Sequence, residues 1–132
     1  MVHKEDCIFC KIVSKQEPAD IVYEDDLCLA FLDKFPQTRG HIQLIPKKHY
    51  RWIYQVPEMG QLFVTAQRLI RAIIPALGAD HVTLATLGRE IEHAHIWIVP
   101  QYKTEVALKE GLINKDGSPE LLILLKKAVN SI

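Results

Sequence analysis

The sequence has no excess of charge of either sign and no long apolar segment. Lysine and arginine together number 16, aspartate and glutamate also number 16, and the formal net charge at pH 7 is zero. This balance excludes a generally basic nucleic-acid-binding protein, so no nucleic-acid partner is expected. The longest apolar runs, such as Leu121–Leu125, are far shorter than the roughly 20 residues that cross a bilayer. We therefore expect no membrane association.

Cysteine is also scarce, with three residues in the chain. The segment Met1–Asp6 is charged and no apolar stretch follows it, so a secretory signal is not predicted and a cytoplasmic location is expected. In a reducing compartment the pair Cys7 and Cys10 favours metal binding or redox chemistry over a structural disulfide. Cys28 stands between two leucines and is predicted to be a small core residue.

The length and composition fit one domain, which we expect to span residues 1–132. A chain of 132 residues with 48% hydrophobic content can bury a core without disulfides. Apolar periodicity predicts helices over 7–14, 58–74 and 120–129 and strands over 21–23, 27–33, 41–45, 81–87 and 94–99. Pro75 and Gly78 are predicted to end the second helix, Gly88–Glu90 to form the turn between the last two strands, and Ser118 to cap the last helix. This order predicts an α+β fold with a mostly antiparallel sheet.

The segment Glu92–Pro100 contains two histidines on one predicted strand. Side chains two residues apart share a strand face, so His93, His95 and Trp97 are expected to project together, with the alternate residues facing a core. Two imidazoles on one face suit a pair of metal ligands, or a nucleophile or base beside an orienting partner. They also suit two incidental surface histidines, and the segment alone leaves these alternatives open.

The pair Cys7-Ile8-Phe9-Cys10 is ambiguous in a similar way. Two thiolates need two further ligands to complete a tetrahedral zinc shell, and six histidines are present in the chain. A redox pair is expected after a strand in a βαβ unit, and no strand is predicted before Cys7. Zinc is therefore the preferred interpretation. His3 and His81 have no supporting feature and are predicted to be surface residues.

Several of these motifs, taken in order, resemble one known family. They are Cys7-x-x-Cys10, Phe31-Leu32-Asp33, the segment Gly40–His49, and His93-x-His95 ending in Pro100. Together they resemble the histidine triad (HIT) family of nucleotide hydrolases and transferases. The resemblance implies a HIT-like α+β fold, with a five-stranded antiparallel sheet, a long helix and a C-terminal helix, and a homodimer.

The same resemblance implies roles for individual residues. His95 matches the nucleophile that attacks a nucleotide α-phosphate and forms a nucleotidyl-histidine intermediate. Asp33 matches a ribose-binding acid, and His41 matches a histidine packed beneath the site. The expected ligand is a purine nucleotide, whose base would contact Ile8, Phe9 and Phe31; the alternative for these three residues is an ordinary apolar core.

The resemblance also implies a metal site. Zinc in bacterial members of the family is bound by residues that correspond to Cys7, Cys10, His49 and His93. Such a Cys₂His₂ set is closed and structural. A metallohydrolase with a catalytic zinc on His93 and His95 is disfavoured, because a catalytic zinc needs an open position.

Two departures from the family pattern affect the functional prediction. Trp97 replaces the third triad histidine, and Arg89 replaces the glutamine after the motif glycine. Arg89 could bind a substrate with more phosphate charge, or it could point into water without a role at the site. Indole cannot shuttle a proton, so protonation of the leaving group is expected either to be impaired or to come from the substrate or the solvent. The preferred prediction is a zinc-stabilised nucleotide phosphoramidase or dinucleoside polyphosphate hydrolase. The alternative is a catalytically weak or inactive nucleotide-binding or signalling module of the same fold.

Overall fold

The structure is a computed structural model that describes residues 6–103, 119–130 and 132. Its elements are α1 (Ile8–Val13), β1 (Ile21–Glu24), β2 (Cys28–Leu32), β3 (Ile42–Pro46), a 3₁₀ turn (Ile53–Gln55), α2 (Met59–Leu77), β4 (His81–Ala85), β5 (Ile96–Gln101) and α3 (Pro119–Val129). The strands pair antiparallel in the order β1-β2-β3-β5-β4. The predicted fold class, with its five-stranded sheet, long helix and C-terminal helix, is confirmed. The predicted cap Ser118 and His3 lie outside the described residues.

Each central strand contributes residues to two different layers, because side chains alternate between the faces of a sheet. On one face, residues such as Leu44 and Ile98 pack with α2 and α3 in the main core. On the other face, Leu29, Phe31 and Ile45 pack with α1 in a smaller apolar cluster. Cys28 is fully buried in the main core, as predicted. Within the described residues, α2 is the longest helix, and none has the length and apolarity needed to cross a membrane.

The long helix α2 continues past the proline that was predicted to end it. Pro75 lies inside the helix, which ends at Leu77 with Gly78 as its C-cap. Leu77 is buried against the main core, and this packing holds the last turn although Pro75 has no N–H to donate. Gly78 has φ 69°, a left-handed conformation that glycine adopts without a steric penalty.

The connection between β4 and β5 is longer than predicted. The strand ladder stops at Ala85 and resumes at Ile96, so residues 86–95 form a loop instead of a tight turn at Gly88–Glu90. The physical reason is that backbone groups near both ends of this loop have other partners. The Ala94 N–H donates to the Tyr50 carbonyl at 2.6 Å, and the Leu87 N–H donates to the His95 ring.

Candidate active site and metal centre

The N-terminal cysteine pair and two distant histidines come together at one point beside the sheet. The ligand atoms of Cys7, Cys10, His49 and His93 all lie within 4.8 Å of one another. The two sulfurs are 3.3 and 3.5 Å from Nδ1 of His93, and Cys10 Sγ is 3.3 Å from Nδ1 of His49. Cys7 immediately precedes α1, and its sulfur accepts the Cys10 N–H, so the first turn of the helix fixes the spacing of the thiols.

The protonation of His93 shows that this cluster suits a metal. Nε2 lies 2.8 Å from the Pro46 carbonyl oxygen, which can only accept, so this nitrogen carries the proton. Nδ1 therefore directs its lone pair towards the sulfurs, the arrangement expected of a metal-ligating histidine with its other N–H held by a carbonyl. Two sulfurs and two imidazoles complete a closed tetrahedral shell. The donor set fits the predicted cofactor, a structural zinc ion, whose ligands would be these four residues.

A cleft of about 740 Å³ opens on the sheet face opposite α2. Gln43 and Trp97 are cross-strand neighbours on β3 and β5, and both line its floor. Of the predicted site residues that are not metal ligands, five line the cleft, namely Phe9, Asp33, His41, Arg89 and His95. The fold therefore brings the predicted nucleophile, the predicted ribose-binding acid and the substituted positions 89 and 97 to one cavity.

His95 is held with one nitrogen towards the backbone and the other towards the cleft. Nδ1 lies 2.9 Å from the His93 carbonyl oxygen and must carry the proton of that hydrogen bond. Nε2 accepts the Leu87 N–H at 3.2 Å, so it carries the lone pair of the ring, which this hydrogen bond occupies. Burial lowers the pKa of His95 below the ordinary 6.5, against smaller opposing effects of the His93 carbonyl and the Asp33 charge. The imidazole is therefore neutral near pH 7.

Asp33 is surrounded by donors at the other side of the cleft floor. Its Oδ1 accepts the Phe35 N–H at 2.8 Å, and its Oδ2 accepts from the Gln43 amide at 2.8 Å. His41 accepts the Gln37 N–H on Nδ1, which leaves the proton on Nε2, 3.6 Å from Asp33 Oδ2. That Nε2 and the Gln43 Oε1 are buried and have no hydrogen-bond partner among the described residues. Burial lowers the pKa of His41, so its ring is neutral and its Nε2–H faces the Asp33 carboxylate.

The remaining predicted base-contacting residues lie outside the cleft lining. Ile8 is 41% exposed and faces a separate, smaller pocket with Cys7 and His49. Phe31 is buried, and its ring packs edge-on against Phe9 with centroids 5.3 Å apart. Phe31 therefore supports Phe9, which lies 6.0 Å from the His95 ring and reaches the cleft itself. His81 is exposed beside Asp80, in agreement with its prediction as a surface residue.

An aromatic rim was not predicted from the sequence. Trp52 and Tyr54 line the cleft, and their rings are parallel with centroids 6.1 Å apart. The Arg51 guanidinium lies 4.8 Å from the Trp52 ring centroid and pairs with Glu92 at 2.6 Å. The sequence does show two aromatic residues in a short segment after Pro46, which ends a strand. This pattern is too common in proteins to identify a binding site.

The fold and these two centres define a small antiparallel α+β protein with a buried histidine in a cleft beside a Cys₂His₂ metal centre. The family model for the HIT domain matches residues 14–104, so the chain belongs to the HIT family. The chain is 31% identical to an adenosine 5′-monophosphoramidase of Schizosaccharomyces pombe over 95% of this chain and 96% of that protein. It is 36% identical to an adenylylsulfatase of Arabidopsis thaliana, over 74% of this chain and 53% of that protein.

A solved structure agrees with the fold over almost the whole chain. It is a zinc-bound histidine triad family protein from Mycobacterium smegmatis, with a TM-score of 0.83 and 31% sequence identity. The match covers 96% of this chain and 94% of that one. The predicted family membership is thereby confirmed.

Proposed function

We propose that the protein is a nucleotide hydrolase or transferase that acts at the α-phosphate of nucleoside phosphoramidates or dinucleoside polyphosphates. The observation that carries this proposal is the state of His95, which lines the cleft and keeps the lone pair of the ring on Nε2 because Nδ1 donates its proton to a backbone carbonyl. Two relatives, the phosphoramidase and the adenylylsulfatase, are named for reactions of adenylyl compounds, which supports the substrate class.

The reaction would proceed in two displacements at phosphorus. Nε2 of His95 forms a bond to the α-phosphorus while the bond from phosphorus to the leaving group breaks. Water then attacks the same phosphorus, the bond to Nε2 breaks, and a nucleoside monophosphate is released. Before the first step the Leu87 N–H must give up its bond to Nε2, and this N–H is then available to a phosphoryl oxygen.

The residue at position 97 affects the source of the proton that the leaving group receives. Its ring centroid is 6.5 Å from that of His95, so an indole occupies the region beside the nucleophile. Because indole donates one N–H and does not release a proton at neutral pH, the proton must come from solvent or from the substrate. The same observation favours the second candidate, a module of the HIT fold that binds nucleotides with little or no turnover.

The metal would have a structural role in this mechanism. Four protein ligands leave no open position, so a bound zinc ion supplies a cross-link and no Lewis acid. The zinc-bound relative supports this assignment. His93 joins the two centres, because its ring belongs to the metal cluster and its carbonyl oxygen holds Nδ1 of His95. Loss of the metal would therefore disturb the nucleophile indirectly.

The proposal has further parts that follow from the family. Residues 1–132 form one HIT domain, the ligand is a purine nucleotide, the location is cytoplasmic, and the chain pairs as a homodimer. Asp33 binds the ribose through its carboxylate. Phe9 contacts the base, with Ile8 next to it in sequence and Phe31 packed against its ring. Arg89 contacts phosphate. The mass in solution by light scattering tests the dimer, and adenosine and cytidine monophosphates compared by calorimetry test the base preference.

The decisive experiment is intact-mass analysis after brief incubation with adenosine phosphoramidate, quenched without acid because phosphorus–nitrogen bonds to histidine are acid-labile. The wild-type protein should gain the mass of one adenylyl group and release adenosine monophosphate. The His95→Ala variant should lose both the adduct and the turnover, while nucleotide affinity stays within about tenfold, or about 1.4 kcal/mol.

A matched control is His81→Ala, because His81 is an exposed histidine outside the cleft. This variant should keep the adduct and the rate. Turnover that persists in His95→Ala would refute the mechanism. Binding of nucleotide by the wild-type protein without adduct or turnover would establish the binding module instead.

A further inference from the structure

Aromatic side chains line the cleft both near Asp33 and near the loop that contacts His95. On one side, Asp33 Oδ2 lies 3.6 Å from His41 Nε2, and the His41 ring is 4.9 Å from Trp97, the neighbour of His95. Phe35 belongs to this side, because its N–H donates to the Asp33 carboxylate. A nucleoside held at Asp33 therefore occupies this end of the cleft.

A series of contacts connects His95 with the aromatic rim formed by Trp52 and Tyr54. Nε2 of His95 meets the Leu87 N–H, and the next residue, Gly88, lies against the Trp52 ring. A Cβ at Gly88 would stand 2.5 Å from a Trp52 ring atom, so the indole packs directly on the backbone of this loop. Trp52 in turn stacks on Tyr54. A leaving group that extends from the attacked phosphorus along this loop would meet Trp52 and Tyr54.

The aromatic pair is held in place and still accessible. Trp52 is fixed by Gly88, by the Arg51 guanidinium and, through Arg51, by the ion pair with Glu92. Tyr54 is 72% exposed although its ring is already stacked on Trp52. An exposed ring whose orientation is fixed beforehand loses little conformational entropy when a planar ligand stacks on it.

We infer that Tyr54, backed by Trp52, is a stacking platform for a nucleobase in the leaving group of the substrate. The inference rests on the proposed function and makes dinucleoside polyphosphates the favoured substrates over phosphoramidates with small amine leaving groups. Arg89 fits this arrangement, since it follows Gly88, lines the cleft and carries a positive charge that suits a polyphosphate chain. The cleft then matches a ligand with a base at each end and phosphates in the middle.

The test compares two substrates that share the attacked adenylyl group, diadenosine tetraphosphate and adenosine phosphoramidate. Tyr54→Ala should lower kcat/KM for diadenosine tetraphosphate roughly tenfold more than for the phosphoramidate, because stacking on a base is lost only with the first substrate. Tyr54→Phe should restore the wild-type ratio. Tyr54 is largely exposed, so these variants are expected to fold.

A matched control is Phe35→Ala, which removes an exposed ring from the Asp33 side of the same cleft. It should change kcat/KM for both substrates by the same factor. An equal effect of Tyr54→Ala on the two substrates would overturn the platform and leave the proposed reaction intact.

A binding measurement separates the failure of the platform from the failure of the proposed function. In the His95→Ala background no turnover is expected, so calorimetry can measure binding alone. The quantity of interest is the affinity for diadenosine tetraphosphate divided by the affinity for adenosine monophosphate. Adding Tyr54→Ala should lower the ratio roughly tenfold. An unchanged ratio refutes the platform even if the wild-type protein is catalytically inactive, and a lowered ratio supports it in either case.

Discussion

His93 and His95 are separated by a single alanine, yet their rings are protonated on opposite nitrogens and face different centres. His93 donates from Nε2 to the Pro46 carbonyl and turns Nδ1 towards the cysteine sulfurs. His95 donates from Nδ1 to the His93 carbonyl and turns Nε2 towards the cleft. In each case a backbone acceptor selects the nitrogen that keeps its lone pair.

The two centres also differ in how complete they are without a ligand. The metal cluster has its full set of protein donors gathered within 4.8 Å. The cleft contains a buried imidazole N–H and a buried amide oxygen that have no partner in the part of the chain that the structure describes. Stability should therefore depend mainly on the first centre, and activity mainly on the second.

The largest effect is expected from removing a metal ligand. Cys10→Ser should lower bound zinc from about one ion per chain and reduce the free energy of unfolding by more than about 4 kcal/mol, because metal binding contributes directly to folding. Metal analysis and chemical denaturation measure both. Cys28→Ala removes a buried thiol elsewhere and should keep the zinc at a cost of about 1 kcal/mol. Full zinc occupancy and unchanged stability in Cys10→Ser would exclude Cys10 from the site.

A smaller effect, confined to the cleft, is expected from Trp97→His. A histidine there could protonate the leaving group, a contribution of about 10²-fold or more in rate. Poor leaving groups should gain most, so the dependence of the rate on leaving-group pKa should become flatter, while zinc content and the unfolding midpoint stay the same. Kinetics with nucleotide esters of graded leaving-group pKa measure this. Equal acceleration of good and poor leaving groups would instead indicate that Trp97 has a packing role.

Gly88→Ala tests the contact between the loop 86–95 and the rim. The new Cβ would stand 2.5 Å from the Trp52 ring, so we expect a loss of about 1–3 kcal/mol in stability or a displaced indole. Gly60→Ala is the matched control, since Gly60 lies in α2 and nothing beyond its chain neighbours and the backbone of its own helix lies within 4 Å of the added carbon. It should stabilise by up to about 1 kcal/mol. Thermal unfolding distinguishes them, and equal stability changes would contradict the observed packing.

The smallest effect concerns pH. Burial disfavours the charged imidazolium and lowers the pKa of His95, so the neutral imidazole persists to lower pH than an exposed histidine would allow. The acid limb of kcat/KM should therefore lie below pH 6.5, the ordinary value for histidine. A rate profile between pH 4 and 8 measures it, with zinc content checked at each pH. An acid limb at or above 6.5 would contradict the assignment of the buried His95 as the reacting group.

The helices and strands that could be predicted from the sequence are those whose pattern of apolar residues is local. The apolar spacing of α2 and the alternation of β5 both survive in the structure, because each reflects which face meets the core. The ligands Cys7, Cys10, His49 and His93 were predicted through the family resemblance, since their spacing follows from a shared fold.

Features that depend on contacts between distant segments were not predictable. The loop 86–95 is shaped by hydrogen bonds to Tyr50 and to the ring of His95, which a propensity for strand or turn does not encode. The rim formed by Trp52 and Tyr54 likewise acquires its position from the backbone at Gly88. Pro75 remained helical because tertiary packing of Leu77 outweighed its local preference.

The distance along the chain between the two halves of the metal cluster has a consequence for protein synthesis. Cys10 and His93 are 83 residues apart in sequence, and ribosomes add about 5–20 residues per second. Roughly 4–17 seconds therefore pass between the appearance of the second thiol and the synthesis of its last partner. During this interval the Cys₂His₂ set is incomplete, so a zinc ion cannot acquire all four protein ligands until His93 has been added.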